Sequence, residues 1–356
     1  MADPKRITER VLGLGALVLV ALGPTVFNDY WVDVILTQVF IVGIAAASLI
    51  FLAAYGGMIS LAQTALMGSA GFMIGNMVTV GGDGGESKGL TLGWDPTLSL
   101  VLALLGTTLL GIVFGAIASR SFGIYFLMIT LTFSVITFYF VGQVTVVSGF
   151  SGIGGINRYT PGFIGDMVND RYRLYYIALI VALFVYALIR YLVRTPFGIS
   201  LQGIRDEHVR MTSLGYAVPM HRTFAFGFSA FLAALAGILL VWWQGQIAPG
   251  DVGLSATIDL LIVAVIGGLG RVEGAWVGAL AFIVINNYIR DSWLTDFLDT
   301  IRVGGSFNTI IGVVFLLIVI VSPDGLMGLW DRAWRVARRP KDGPDAPVAP
   351  TPAQQA

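Results

Sequence analysis

The sequence predicts an all-α polytopic membrane protein with about ten apolar helical elements, and three observations carry that prediction. Of 356 residues, 56% are hydrophobic and only 12% charged, with a mean hydropathy of +0.83. Apolar runs of about 17–22 residues recur, each long enough to cross a ~30 Å hydrocarbon core. Finally, the runs lack the alternation of apolar and polar positions that a transmembrane barrel requires. Buried strands of soluble α/β proteins last only about 4–8 residues, too short to explain these runs. A formal net charge of zero gives no reason to expect a nucleic-acid partner, and the absence of cysteine excludes disulfides, thiolate metal sites and thiol nucleophiles.

In chain order, residues 1–10 are polar, and Lys5, Arg6 and Arg10 precede an apolar run at 11–27. That layout resembles a signal peptide, but no small-residue cleavage site follows, so the run reads as a retained helix. Further helices are expected at 34–54, 58–80, 97–118, 124–145, 174–193, 223–244, 256–269, 273–289 and 303–321. Together, 11–327 form the transmembrane domain. If the chain alternates from a cytoplasmic N-terminus, fifteen basic residues fall on one side and six on the other, which places both termini in the cytoplasm. The opposite loops are acidic, with Asp29, Asp83, Glu86, Asp95 and Asp251 among them. A cysteine at Ser87 should react with an impermeant reagent from outside, and one at Ser213 should not.

Small residues four apart, namely Gly71 and Gly75, Gly111 and Gly115, and Gly270, Gly274 and Gly278, suit close helix packing in lipid. The segment 55–76 adds polar side chains: Ser60, Gln63 and Thr64 share one face if the segment is helical. Facing lipid, they would leave donors unsatisfied, so they are expected to meet other helices or a wet pathway. Ser148, Gly149, Ser151, Gly152, Gly154 and Gly155 end the 124–145 helix in either a broken, re-entrant turn or an ordinary loop. Pathway-lining candidates are Ser60, Gln63, Thr64, Thr130, Ser148, Ser151 and Asp259.

After the Pro/Gly turn at 245–255, two short apolar runs separated by GGLGRVEG predict a helical hairpin with Arg271 and Glu273 at its inner tip. Asp259 falls one turn beyond Ser255, the expected N-cap, where the helix dipole favours an acid. Residues 328–339 read as a basic interfacial helix, with Trp330 and Trp334 on one face, and 340–356 as a disordered Pro/Ala-rich tail.

No phosphate-binding GxxxxGK[ST] loop is present, and GGDGGESKG has the wrong spacing. With two histidines there is no metal-ligating cluster, and no catalytic triad is legible. The chain is expected to perform no covalent chemistry and to bind no cofactor. Ionisable residues are nearly absent from the apolar runs, which disfavours a proton-coupled pump.

The polar interruption at 195–222 is the most informative segment. Leu201, Ile204, Met211 and Leu214 follow helical spacing on one face, while Arg205, Asp206, Glu207 and Arg210 occupy the other. Asp206 and Arg210 are spaced for an i,i+4 pair. Gly215 should stop the helix and Pro219 prevent its continuation. The spacing therefore predicts one amphipathic helix over 198–215 at the inner surface.

GISLQGIRDEHVRMTSLGYAV, AFGFSAFLAALAGILL and IDLLIVAVIGGLGRVEGAWVGAL resemble the permeases of branched-chain amino-acid ABC transporters, a group that includes urea and amide permeases. GGMISLAQTALMG, YFLMITLTFSVI and SGFSGIGGI resemble earlier motifs of that family in the same order, so the likeness runs from about 34 to 327. It implies a type II ABC permease-like bundle, paired with a second permease in a homo- or heterodimer. It also implies two cytoplasmic ATP-binding subunits that carry ATP and Mg²⁺, an external solute-binding protein, and residence in a bacterial inner membrane. Gly203, Ile204, Arg205, Asp206, Glu207, His208, Leu214 and Gly215 correspond to the loop that docks on the ATPase. This sequence departs from the pattern at Gly203, where alanine is usual, and at His208, where an acid is common. Ala62, Leu66 and Asp259 replace the usual glycine, phenylalanine and glutamate. The implied solutes are branched-chain amino acids, with urea or short amides as the alternative. An ion-coupled transporter or a channel is the alternative of another class.

Overall fold

In a computed structural model, the described residues are 22–26, 28–80, 89–162, 165 and 171–290, together with 312, 316, 320 and 325–328. A π-helical turn, Trp31–Leu36, runs directly into α1, Thr37–Gly56. There follow α2 (Gln63–Val78), α3 (Pro96–Ala118), α4 (Ile124–Gln143), α5 (Arg171–Arg194), α6 (Pro196–Asp206), α7 (His208–Ser213), α8 (Val218–Gln244), α9 (Leu254–Gly267) and α10 (Gly274–Arg290). Five helical stretches among the described residues are long and apolar enough to cross a membrane: Trp31–Gly56, Pro96–Ala118, Ile124–Gln143, Tyr172–Arg194 and Val218–Gln244. The chain is an all-α, multi-pass membrane protein. Of the expected helix at 11–27 only its end is described, with Gly23–Val26 helical; most of the helix expected at 303–321, all but the first residue of the basic helix at 328–339, and the tail lie outside the described residues.

Residue size sorts the helices into layers. On α3, Leu98, Val101, Leu105, Leu109 and Val113 are exposed at spacings of three and four, while Ser99, Ala103, Thr107, Gly111, Gly115 and Ala118 are buried on the opposite face. The large apolar stripe suits lipid, and the small stripe lets α3 lie close to α8. A Cβ on Gly111 would come 2.1 Å from the Ala230 Cβ, and one on Gly115 2.8 Å from that of Phe226. Packing and buried polar contacts, rather than apolar burial, hold helices together in a membrane, so these close approaches are where the bundle gains its stability. Most residues of α1 and α8 are buried, whereas in α3, α4 and α5 only about a quarter to a third are. The inner layer is therefore α1, α2 and α8. Gly71, Gly75 and Gly278 also sit in tight contacts, but Gly270 faces open space.

The hairpin is present: α9 ends at Gly267, and α10 begins at Gly274. A Cβ at Gly267 would lie 1.9 Å from the Gly274 carbonyl oxygen, which explains why the two arms start from glycines. Glu273 at the tip accepts from Tyr186 at 2.8 Å and pairs with Arg190 at 3.2 Å, fixing the tip at the end of the bundle where α5 finishes.

Three expectations need correction. First, the helix expected at 58–80 begins only at Gln63, because Gly57 closes α1 in the left-handed region, with φ 63°, and residues 58–62 run on without helical structure. Ser60 therefore does not share a helical face with Gln63 and Thr64. Second, the segment at 198–215 is two helices. The Glu207 backbone, at φ −152° and ψ 87°, ends α6 and caps α7, so α7 folds back until the Met211 sulfur lies 3.0 Å from where a Gly203 Cβ would be. Leu201 and Ile204 are buried, Met211 is half-buried and Leu214 is exposed, and Asp206 pairs with Arg205 rather than Arg210. Third, α9 is capped by Gly253, which leaves Ser255 inside the helix.

The glycine-rich turn after α4 also forms a strand. Ile153–Gly154 (β1) pairs antiparallel with Gln246–Ile247 (β2), and Ile153, Ile156, Ile247, Val252, Phe72, Val141 and Val241 form a second small core beneath it. This cap closes the end of the bundle opposite the hairpin tip. Beside it, Asp95 caps α3 by accepting from Thr97 and Leu98, and those two backbone N–H groups hold its carboxyl below the ordinary carboxylate value. Asp251 in the adjacent turn shifts the other way: burial pushes its carboxyl up, against the opposing bond from the Ala248 N–H.

Candidate functional site

The interior of the bundle contains a group of polar side chains from five helices, organised by the late start of α2. Because 58–62 is non-helical and bends at Leu61, the chain turns back into the protein before helix α2 begins. Its first turn is thereby set against Ser48 of α1, Ser229 of α8, Thr130 and Ser134 of α4, and Thr257 of α9. None of these residues, nor Ser60, Gln63 or Thr64, is more than 2% exposed. Ser48 lies eight residues before the end of α1, about 12 Å along the helix axis, so the group sits well inside the apolar layer.

Two sub-clusters meet there. Thr64 Oγ1 donates to Thr257 Oγ1 at 2.9 Å, Thr257 Oγ1 donates to the Gly253 carbonyl at 3.1 Å, and Ser134 Oγ lies 3.1 Å from Thr257 Oγ1. Nearby, the Leu61 N–H donates to Thr130 Oγ1 at 3.2 Å and the Ala62 N–H to Ser60 Oγ at 3.2 Å. These bonds satisfy backbone donors in the non-helical segment, where no helix does so.

The second sub-cluster is centred on Gln63. Its side-chain amide lies 3.1 Å from both Ser48 Oγ and Ser229 Oγ, and its other terminal atom meets no partner among the described residues. A hydroxyl carries one proton. That of Ser48 has the Ala45 carbonyl at 2.6 Å, and that of Ser229 has the Ser48 carbonyl at 3.1 Å. The Gln63 atom facing both serines is then best satisfied as the donor, NH2, which turns the amide so that its carbonyl oxygen is the unpartnered atom. A buried amide with one end unmatched is uncommon, and marks a place where a water or a polar ligand completes the bonding.

Of the sequence-derived pathway candidates, Ser60, Gln63, Thr64 and Thr130 come together here. Ser148 is buried in the turn after α4, with its hydroxyl on the Gly149 carbonyl, and Ser151 is exposed beside β1. Asp259 is exposed on α9, two residues beyond Thr257, the residue of that helix that joins the group. The residues sequence reasoning missed are Ser48, Ser134, Ser229 and Thr257. A signal existed for Ser134, since Thr130, Ser134 and Thr137 recur at helical spacing and all three are buried. An apolar cavity of about 520 Å³, lined by Leu100, Tyr176, Ile177, Val181, Leu235 and Leu239, contains none of the polar residues.

At the basic end, α6 and α7 form a platform joined to this interior. Thr195 caps α6 by accepting from the Gly198 N–H, and Pro196 occupies the first turn, where its missing donor is harmless. Arg205 donates to the Ala54 carbonyl near the end of α1 and to Asp206. Glu207, His208, Val209 and Leu214 are exposed, and Gly215 ends the platform at φ 88°. Val209 and Leu214 are each more than 60% exposed, an apolar surface that no described part of the chain covers.

The chain matches the family described as the branched-chain amino acid transport system permease component over residues 32–322. It is 24% identical over 250 residues to the Salmonella typhimurium high-affinity branched-chain amino acid transport system permease protein LivM, covering 64% of this chain and 56% of that one. A probable LivM permease of Methanocaldococcus jannaschii is 24% identical over 246 residues, 64% of this chain and 68% of the relative. The ribose import permease RbsC of Haemophilus influenzae is 27% identical over 151 residues, 40% of this chain and 43% of its own. The match to the Salmonella relative thus spans little more than half of that protein's length. No solved structure matches. Matched over residues 32–322, most of its length, the chain belongs to the branched-chain amino acid transport permease family.

Proposed function

We propose that this chain is a permease subunit of an ATP-driven importer, and that the group around Gln63 is where a small, uncharged or zwitterionic solute meets the protein during passage. The observation that carries this reading is the unmatched Gln63 amide, buried among hydroxyls with no ionisable group beside it among the described residues. Branched-chain amino acids are the proposed solutes. A second reading has a sugar in the same place, because hydroxyls and an amide suit a polyol equally and one relative is named a ribose permease.

In this reading the basic end faces the cytoplasm of a bacterial inner membrane, as do both termini. One of two ATPase subunits docks on the α6–α7 platform, a second permease completes the pathway, and an external binding protein delivers the solute. Energy enters from the ATPases, since this chain carries no phosphate loop. Nucleotide-driven movement of the platform shifts rigid helices around the Gln63 group and exposes it alternately to either side.

Expression with the ATPase and binding-protein genes that flank this one, followed by uptake of radiolabelled leucine, urea, acetamide and ribose, tests the proposal. ATP-dependent leucine uptake supports it, while ribose uptake alone establishes the second reading. Uptake with no ATPase present contradicts both.

A further inference from the structure

Arg222, in the first turns of α8, is a buried cation held by backbone. It is 3% exposed, and among the described residues its hydrogen bonds go to the Ser119 carbonyl at 2.7 Å, the Ser121 carbonyl at 2.6 Å and the Met58 sulfur at 3.1 Å. Those carbonyls lie at the end of α3, where helix C=O groups lack intrahelical partners and the helix dipole is negative. Its guanidinium carbon also stands 4.2 Å from the Phe122 ring centre and 5.2 Å from that of Phe126, within cation–π range. Phe122 in turn stacks on His208, the first residue of α7, with ring centres 4.5 Å apart and planes 28° apart.

A continuous line of contact therefore runs from the platform to the polar interior: His208, Phe122, Arg222, Met58. Met58 is the first residue of the non-helical segment that delivers Gln63 to the Ser48–Ser229 pair. At the same junction, Arg205 of α6 lies against Gly57, where a Cβ would come 2.7 Å from the Arg205 Cγ. The non-helical segment is thus held by one arginine from the platform and another from α8. Lacking a helical hydrogen-bond ladder of its own, it takes its position from these side chains and from Thr130 and Ser60.

We propose that Phe122 and Arg222 are positioning residues that carry movement of the α6–α7 platform to Met58, and through residues 58–62 to Gln63. The proposal rests on the reading of that platform as the ATPase-facing surface. A guanidinium suits the task because its flat fork bonds two carbonyls while stacking on rings, so it cannot swing away from one partner without losing the others. A lysine has neither the fork nor the flat face.

The test uses the complete importer in proteoliposomes, with leucine uptake and ATP hydrolysis measured in the same vesicles. The chain has no cysteine, so a single Ile59→Cys reports on the segment 58–62. Its reactivity toward a small thiol reagent, read on this chain after separation of the subunits, should change between nucleotide-free and vanadate-trapped states. Phe122→Leu, a change at a partly exposed site compatible with folding, should lower uptake per ATP by about tenfold, within the usual range of coupling between sites. It should also remove the nucleotide dependence of Ile59→Cys reactivity, while the ATPase subunits still co-purify. Phe122→Tyr, which keeps the stack, should preserve both, and Arg222→Lys should behave as Phe122→Leu does. If Phe122→Leu retains uptake per ATP and the nucleotide-dependent reactivity, the relay is overturned and the ATPase-facing platform stands. If the unmodified importer shows no nucleotide-dependent uptake, the platform reading falls and the relay falls with it.

Discussion

Gln63 is held between two serines whose own protons are directed at carbonyls, and that detail decides what its replacement should do. Removing a structural tie usually orphans its partners and lowers stability by about 1–3 kcal/mol. Here the Ser48 and Ser229 hydroxyls keep the Ala45 and Ser48 carbonyls whether or not the amide is present. Gln63→Met should therefore change thermal stability by less than about 1 kcal/mol while abolishing uptake. Thermal unfolding and uptake on one preparation check this; a large loss of stability would make the amide a tie rather than a solute contact. Asp95 gives a prediction with a pH sign. Its carboxyl is held below the ordinary value by the Thr97 and Leu98 amides, so its capping contribution is present above that ordinary value and is lost as pH falls through the lowered one. Amide exchange at Thr97 and Leu98, relative to the intrinsic rate, should quicken on acidification through that window, and in Asp95→Ala it should be fast throughout.

At the scale of elements, the close contact of α8 with α2 is the least forgiving. A Cβ at Gly237 would sit 1.9 Å from the Met67 carbonyl oxygen, so Gly237→Ala must push backbone apart, at a cost of about 1–3 kcal/mol. A lowered melting temperature in detergent checks this, and Gly270→Ala, which points into open space, should show no change. The same elements show what sequence could and could not convey. Spans announced themselves because length and hydropathy are local properties. The break before α2 did not, because Ser60, Gln63 and Thr64 have spacing compatible with a helix, and what interrupts it is the left-handed Gly57 together with contacts from Arg205 and Arg222 far along the chain. In the platform, Leu201 and Ile204 were legible as a buried face, yet the fold at Glu207 depends on Met211 settling over Gly203. Strands of two residues carry no periodicity, so β1 and β2 were invisible. Ser48, Ser229 and Thr257 are single hydroxyls in apolar runs, and their importance appears only when five helices place them together.

For the whole molecule, the layering of small and large residues leaves α3, α4 and α5 facing outward and α1, α2 and α8 enclosed, with a polar group inside and a platform at one end. The proposed orientation rests on the positive-inside distribution, and it is directly testable in intact cells. A cysteine at Leu92, beside the capped end, should be labelled by an impermeant maleimide, and one at Ser213 only after permeabilisation. The central claim is that the α6–α7 platform receives an ATPase stroke that the Gln63 group turns into transport. The most direct measurement is leucine uptake per ATP hydrolysed in proteoliposomes carrying the complete importer with Asp206→Ala and Glu207→Ala combined. Both carboxylates are exposed on the platform, so the fold should survive their loss. The expected result is continued ATP hydrolysis with uptake per ATP reduced by about tenfold or more; an unchanged ratio would contradict the claim.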